Sequence, residues 1–247
     1  MISIVIPTYK RPDFLERLLK SIANQTFKDF EVIVIDDNSP NYEEYLPVIE
    51  KYKKIFKEFK FLRNSENKGA PYSRNKGIKE TKYDLIALVD DDDEWLPKKL
   101  EKQFEIFKSN NENLGLVYTW TNAIDEDGNI VYKYRNEIEG NPKKEILKEC
   151  FIPSPSVMVK KKAIIDAGLF DEKMPSCQDW DMWTRIIMKG YDVKVIKEVL
   201  TIYHKHGRES IGLSKKAKDG YKMFYKKHLK YFMYNFSILL KFIKYGI

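Results

Sequence analysis

The sequence predicts an α/β fold: a Rossmann-like, mostly parallel sheet flanked by helices, followed by an irregular second half. Two observations carry this. Over roughly the first 110 residues, short continuous apolar runs alternate with segments of helical periodicity, the pattern of strands joined by right-handed crossovers. Two of those runs, Phe30–Ile35 and Leu85–Val89, end directly in acids, Asp36-Asp37 and Asp90-Asp91-Asp92-Asp93. Leu85–Val89, apolar at every position, and Phe30–Ile35, apolar but for Glu31, suit strands buried on both faces, and open α/β sheets bind ligands at the carboxyl ends of their strands.

Taken in order, Ile2–Pro7 is a β-branched strand closed by a proline. Pro12 opens a helix with Phe14, Leu15, Leu18, Leu19 and Ile22 at helical spacing. Phe30–Ile35 is the second strand, Pro47–Phe56 a helix, Lys60–Leu62 a short strand and Tyr72–Lys79 a weaker helix. The Leu85–Val89 strand and its acids precede a helix carrying Leu100, Phe104 and Phe107. The pattern then changes. Leu116–Thr121 and Ile130–Tyr134 should form a hairpin across Asp127-Gly128-Asn129, and Glu137–Lys144 reads as polar loop. Ser156–Val159 is a strand, followed by a short helix ending at Gly168. Gln178–Lys189 is a helix, and Val193–Ile196 and Leu200–His204 are short strands. Residues 1–214 are therefore expected as one domain, with a nucleotide-binding half (1–113) and an acceptor and catalytic-base half (114–214), and 215–247 as a basic amphipathic helical tail.

A net charge of +7 invites a nucleic-acid reading until it is located. Residues 215–247 hold nine lysines and one acid, a local +8, so the other 214 residues sum to −1 (+7 less +8). A nucleic-acid face needs lysines on the body interleaved with exposed aromatics, so no nucleic-acid partner is expected. Cys150 and Cys177 are too few for a disulfide framework or a thiolate zinc site. No run is long enough for a membrane span and no signal peptide opens the sequence, so a cytoplasmic location is expected.

The four acids after Leu85–Val89 repel one another unless a cation neutralises them. Hard oxygen ligands at a strand mouth point to Mg²⁺ or Mn²⁺ bridging carboxylates and substrate phosphates. The plainer alternative is a solvated acidic turn before a helix, with Asp93 or Glu94 near its N-cap. No Gly-x-Gly-x-x-Gly or Walker-type loop is present, which disfavours dinucleotide and P-loop chemistry.

Several segments, in order over about residues 2–210, resemble inverting family 2 glycosyltransferases. They are Ile4-Val5-Ile6-Pro7-Thr8-Tyr9, Ser21-Ile22-x-x-Gln25-Thr26, Glu31 to Ser39, Asn67-x-Gly69-x-x-x-x-Arg74-Asn75-x-Gly77-Ile78, Asp90–Asp93 before Trp95, and Gln178-Asp179-Trp180-Asp181-Met182-Trp183. The resemblance implies the GT-A fold, a nucleotide-sugar donor (UDP-linked), a divalent metal and hexosyl or N-acetylhexosaminyl transfer to a glycan or lipid-linked acceptor in cell-surface glycan synthesis. It also implies residue roles. Pro7, Thr8 and Tyr9 line the base pocket, and Asp37 accepts a hydrogen bond from the base. Arg74 lies near the nucleotide, Asp90 or Asp91 near the ribose, Asp92 on the metal, and Asp179 is the general base. Tyr203 to Arg208 resembles the segment that closes over the diphosphate, with His206 as a further metal ligand.

Each role has a plainer counterpart: Asp37 as a turn cap, Arg74 as a surface helix arginine, His206 as an unliganded loop histidine. Gln178 departs from the family's usual Glu before the base. Trp180 and Trp183 read equally as sugar-stacking platforms or core, Asp181 and Arg185 as a helix-face ion pair, and His228 as a tail residue with no special role. Two other functions compete: a non-catalytic nucleotide-sugar-binding relative and a metal-dependent phosphohydrolase.

In the tail, Tyr221, Phe224, Tyr225, Leu229, Phe232, Phe236, Leu239, Leu240 and Ile243 share one helical face, and Lys222, Lys226, Lys230, Lys241 and Lys244 the other. Two readings stay open. The helix docks on the domain, or residues 221–245 lie peripherally on an anionic membrane at the inner face of the cell membrane. On the second, a chain ending near Lys218 stays folded.

Overall fold

The computed structural model describes residues 1–109, 112–207 and 216–232. Its strands are β1 (Ile2–Thr8), β2 (Phe30–Asp36), β3 (Phe59–Arg63), β4 (Leu85–Leu88), β5 (Glu94–Trp95), β6 (Leu114–Ile124), β7 (Ile130–Tyr134), β8 (Met158–Lys160) and β9 (Asp192–His204). The α-helices are α1 (Pro12–Ala23), α2 (Leu46–Lys53), α3 (Ala70–Glu80), α4 (Lys99–Lys108), α5 (Lys143–Lys148), α6 (Lys161–Asp166), α7 (Gln178–Met188) and α8 (Lys216–Phe232).

All the strands join one sheet, ordered β3-β2-β1-β4-β8-β6-β9-β5, with β7 hydrogen-bonded to β6. The β3-β2-β1-β4 part is parallel throughout, as expected. The second half is not. β8 and β7 run antiparallel to their partners, β6 and β9 are parallel, and β5 is antiparallel to β9, so the whole sheet is mixed. The hairpin across Asp127–Asn129 forms.

The continuous apolar strands divide between two cores. On β1 and β2, Ile2, Ile4, Ile6, Val32 and Val34 face α1 and α2, whereas Val5, Ile33 and Ile35 join the larger core that contains α7. Alternate residues of a strand point to opposite faces, so apolarity at every position means burial on both. α3 presses close to the second face: a Cβ on Gly77 would stand 2.5 Å from Val5 Cγ1 and 2.6 Å from Ile35 Cδ1. Only glycine fits there.

Several local readings change. A 3₁₀ turn at Tyr42–Tyr45 leads into α2, which ends at Lys53. Lys143 and Lys144 belong to a short helix rather than to a loop. Val193–Ile196 and Leu200–His204 are parts of one strand, which pairs in parallel with β6 through register shifts around Thr119–Thr121. The acid run caps no helix, since Glu94–Trp95 forms β5 and α4 starts at Lys99.

The largest change concerns the tail. The part of it in α8 is docked on the domain: Phe224, Tyr225 and Phe232 are buried, and Phe224 stacks on Trp180 at 3.8 Å between ring centroids. Gly220 lies against Ser176, where a Cβ would clash. His228, far from idle, is buried and meets Asp181 Oδ1 at 2.9 Å, while Lys227 reaches Asp181 Oδ2 at 3.0 Å and Asp171 at 2.7 Å. Burying three aromatic rings outweighs any gain from leaving them free, so this half of the apolar face is covered by protein. Lys226, Lys230 and Leu229 stay exposed. Phe236, Leu239, Leu240, Ile243, Lys241 and Lys244 lie outside the described residues. No helix among the described residues is long and apolar enough to cross a membrane.

A chain ending near Lys218 is therefore expected to lose stability, contrary to the detached-tail reading. The single change Phe224→Ala should cost about 3–5 kcal/mol, the usual loss for a buried phenylalanine. Chemical denaturation measures it, and a loss under ~1 kcal/mol would mean that α8 adds little to the core.

Candidate active site

β1, β2 and β4 deliver their carboxyl ends to one edge of the sheet. β1 lies between the two acid-bearing strands, with Thr8 in register with Asp36. Pro7, Thr8 and Tyr9 run along this edge, and Thr8 supports two neighbours. Its hydroxyl donates to Asp91 Oδ2 at 2.6 Å, and its carbonyl accepts the Asp37 N–H at 2.9 Å.

Asp37 is buried and well partnered. Oδ1 accepts from Asn64 Nδ2 (2.7 Å) and the Lys68 N–H (2.9 Å), and Oδ2 from the Gly69 N–H (2.7 Å). Gly69 stands at φ +86, a conformation that favours glycine. Asp37 thus does cap the turn entering α3. A carboxylate has about four acceptor positions, so Oδ2 retains one for a ligand.

Arg74 is not a surface arginine. It is 4% exposed, donates twice to Asp90 (2.7 and 2.9 Å) and once to Gln178 Oε1 (3.0 Å), and lies 3.7 Å from Asp179 Oδ1. Burial works against its charge, but Asp90 and Asp179 more than compensate, and its pKa is raised. One guanidinium thus ties the acid run to the start of α7.

The four adjacent acids are separated by partner. Asp90 belongs to Arg74. Asp91, fully buried, and Asp92 share Arg11, whose Nη2 is 2.5 Å from Asp91 Oδ1 and whose Nη1 is 2.6 Å from Asp92 Oδ2. Asp92 Oδ2 also meets His206 Nε2 at 3.0 Å, and Arg17 donates to the Asp92 carbonyl at 2.6 Å. Burial opposes the Asp92 charge, yet His206 and Arg11 outweigh it and hold its pKa low. Asp93, buried with no such cation, is pushed well up by burial and its three acidic neighbours. Two arginines thus offset charge on three of the four acids.

Asp179 sits in the first turn of α7, following Cys177, which stands at φ 56. A helix N-terminus favours a carboxylate, but here burial prevails. It raises the Asp179 pKa, opposed by Arg74 and a Ser154 hydrogen bond and reinforced by Asp90. Oδ1 is buried and accepts no hydrogen bond. Gln178 spends its amide on Met174 O (3.1 Å) and Arg74, so no second carboxylate crowds Asp179 from that position.

Trp180 and Trp183, 5% and 0% exposed, belong to the core and not to a sugar platform. Asp181 and Arg185 pair at 2.8 Å. Burial resists the Asp181 charge, but His228, Arg185 and Lys227 hold its pKa down to about 2. His204 pairs with Glu94 at 3.1 Å, and His206 packs on Phe14 with ring centroids 5.0 Å apart. Arg208 lies outside the described residues. Sequence reasoning missed Arg11, Arg17 and Asn64; its one available signal was the Lys10-Arg11 pair in the turn before Pro12.

Comparison with known proteins identifies the family and the fold. The profile described as Glycosyl transferase family 2 matches residues 3–168. An uncharacterised glycosyltransferase of Methanocaldococcus jannaschii is 38% identical over 213 residues, which is 85% of this chain and 72% of that protein. WcaA of Escherichia coli K12, named for colanic acid biosynthesis, is 27% identical over 241 residues, 92% of this chain and 81% of that protein. Two solved structures share the fold. S. aureus TarS 1-349 in complex with UDP-GlcNAc has a TM-score of 0.72 at 20% identity, covering 92% of this chain and 66% of that one. The mannosyltransferase PcManGT of Pyrobaculum calidifontis, with GDP-Man and Mn²⁺, has a TM-score of 0.69 at 14% identity, covering 93% of this chain and 64% of that one. The strand-end acids, the Arg74 bridge and these matches lead to one assignment: the chain belongs to glycosyl transferase family 2 and has the GT-A fold.

Proposed function

We propose that the protein is a metal-dependent inverting glycosyltransferase that moves a sugar from a UDP-linked donor to a hydroxyl of a glycan or lipid-linked acceptor in polysaccharide synthesis. The observation that carries this reading is the Asp90–Arg74–Asp179 bridge. It joins a donor-side acid and the candidate base across one guanidinium, with Arg74 2.7 Å from Asp90 and 3.7 Å from Asp179. Inverting displacement needs a base on the acceptor side, opposite the leaving diphosphate. Asp179, held 3.7 Å from Arg74 and with a raised pKa, suits that task. The Asp179 carboxylate takes the acceptor proton as the hydroxyl oxygen attacks the anomeric carbon and the nucleoside diphosphate departs. Pro7, Thr8, Tyr9 and the open position on Asp37 hold the base, Asp90 and Asp91 lie toward the ribose, and Arg74 keeps donor and base sides in register.

The donor set fits a divalent metal. Asp92 Oδ2 and His206 Nε2 converge to 3.0 Å; the carboxylate suits Mn²⁺ or Mg²⁺, and the softer imidazole beside it favours Mn²⁺ of the two. Among the described residues no three His, Cys, Asp or Glu side chains group to hold a metal ion, so substrate phosphates would have to supply the remaining ligands. When bound, the metal offsets charge on the leaving diphosphate. The family assignment sets aside the phosphohydrolase alternative. UDP relatives such as the TarS complex and the polysaccharide naming of WcaA support the donor and the pathway class.

A panel of nucleotide-sugars with Mn²⁺, read by thermal stabilisation, tests the donor. At 100 times its dissociation constant the right one adds about 2.7 kcal/mol. Stabilisation by GDP-sugars alone would overturn the UDP assignment.

A further inference from the structure

Trp180 and Trp183, the two aromatic residues of α7, are taken into the core, so this helix offers no ring to a sugar beside Asp179. The edge strand β7, hydrogen-bonded to β6, carries a pair of its own. Tyr132 and Tyr134 alternate along it and so share one face. Their ring centroids lie 4.6 Å apart with planes at 66°. Tyr132 is 55% exposed and Tyr134 half-buried, and neither joins a hydrophobic core among the described residues. The register brings this pair to the site. Tyr134 and Tyr132 lie opposite Thr121 and Ala123 of β6, which pair in turn with Thr201 and Tyr203 of β9. β9 leads directly to His206 at Asp92. In the other direction the chain leaving β7 reaches the surroundings of the base. Asn136 Nδ2 donates to Phe151 O at 2.9 Å, and Ser154, three residues on, is hydrogen-bonded to Asp179. The Tyr134 phenol registers both neighbourhoods: burial first, then Tyr132, Cys150 and Asp93, push its pKa up. Cys150 is itself pushed up by burial and by Asp179.

We infer that Tyr132 and Tyr134 form the platform on which the acceptor's terminal sugar stacks beside Asp179. A pyranose ring presents an apolar face of C–H groups. An aromatic ring is a flat apolar surface that matches this face, and the phenol hydroxyl keeps a polar handle for the sugar's own hydroxyls. Two rings at an angle hold such a sugar from below and from one side. That fixes the direction of its hydroxyls toward the base, and orientation of this kind contributes large factors to rate. The inference rests on the transferase reading above, in which Asp179 takes the acceptor's proton.

The test is saturation-transfer NMR on the full chain with UDP and Mg²⁺, using the methyl glycosides of glucose, galactose, mannose and N-acetylglucosamine as probes. At least one glycoside is expected to take up saturation on its ring C–H protons. Tyr132→Ala and Tyr134→Ala should each weaken its binding ~3–10-fold, the scale of one aromatic contact. Tyr132→Phe and Tyr134→Phe keep the ring and should retain most of the affinity. UDP affinity, read by calorimetry, should match wild type in all four variants. Tyr132 is largely exposed, so its alanine variant carries the comparison if Tyr134→Ala does not fold. Saturation of none of the four glycosides overturns the inference. So does equal binding in the alanine variants, or a parallel loss of UDP. If Tyr132→Ala instead changes the oligomeric state in ultracentrifugation and leaves glycoside binding alone, β7 is a contact between copies of this chain and the inference falls. No transfer enters these measurements. A protein inactive in transfer that binds glycosides on these rings keeps the inference and loses the transferase reading; an active one whose alanine variants keep the acceptor KM does the reverse.

Discussion

Asp179→Asn is expected to leave nucleotide-sugar affinity close to wild type while lowering transfer at saturating substrate by at least ~10²-fold, the scale of losing a general base. The separation is sharp because Asp179 touches the donor side only through Arg74, which keeps its two bonds to Asp90 when Asp179 is neutralised. The pH profile supplies a second check. Burial raises the Asp179 pKa, so the basic form is lost as pH falls through that raised value. The acid limb of kcat should therefore lie above the ordinary carboxylate range and be absent in the variant. If donor affinity collapses while the saturated rate survives, Asp179 binds substrate and the base lies elsewhere. If neither changes, the protein is not using this carboxylate at all.

The second large effect is expected at Asp92. Asp92→Asn should abolish Mn²⁺-dependent donor binding, measured by calorimetry with UDP, because it removes the charged partner of His206. The fold should survive. Arg11 keeps its 2.5 Å contact with Asp91, so no buried guanidinium is left unpaired, and the apo melting temperature should shift by only a few degrees. The variant also relieves like-charge crowding on Asp93, which Asp92 helps push upward. Undiminished Mn²⁺-dependent turnover would remove Asp92 from the metal site.

These predictions draw unequally on sequence and tertiary structure. The sequence by itself determined the parallel half of the sheet, because a run such as Leu85–Val89, apolar at every position, has a stable place only between two cores. It also placed the acids at the strand ends and Asp179 at a helix start, since these are matters of local chain direction. What it could not determine was which charge meets which. Arg74 reaches Gln178 across 104 positions and Arg11 reaches Asp91 across 80. Counting four repelling acids called for a neutralising cation; the fold brings two arginines to them from distant segments, Arg74 to Asp90 and Arg11 to Asp91 and Asp92. The tail shows the same limit. Its helical period correctly gave an apolar face, but a period reports only that a face is buried, not whether protein or lipid covers it. Trp180, Asp181 and Asp171 decided that for Phe224, His228 and Lys227. Periodicity is a property of a segment and is legible in its residues, whereas pairing depends on the coincidence of segments in space, which only the folded chain fixes.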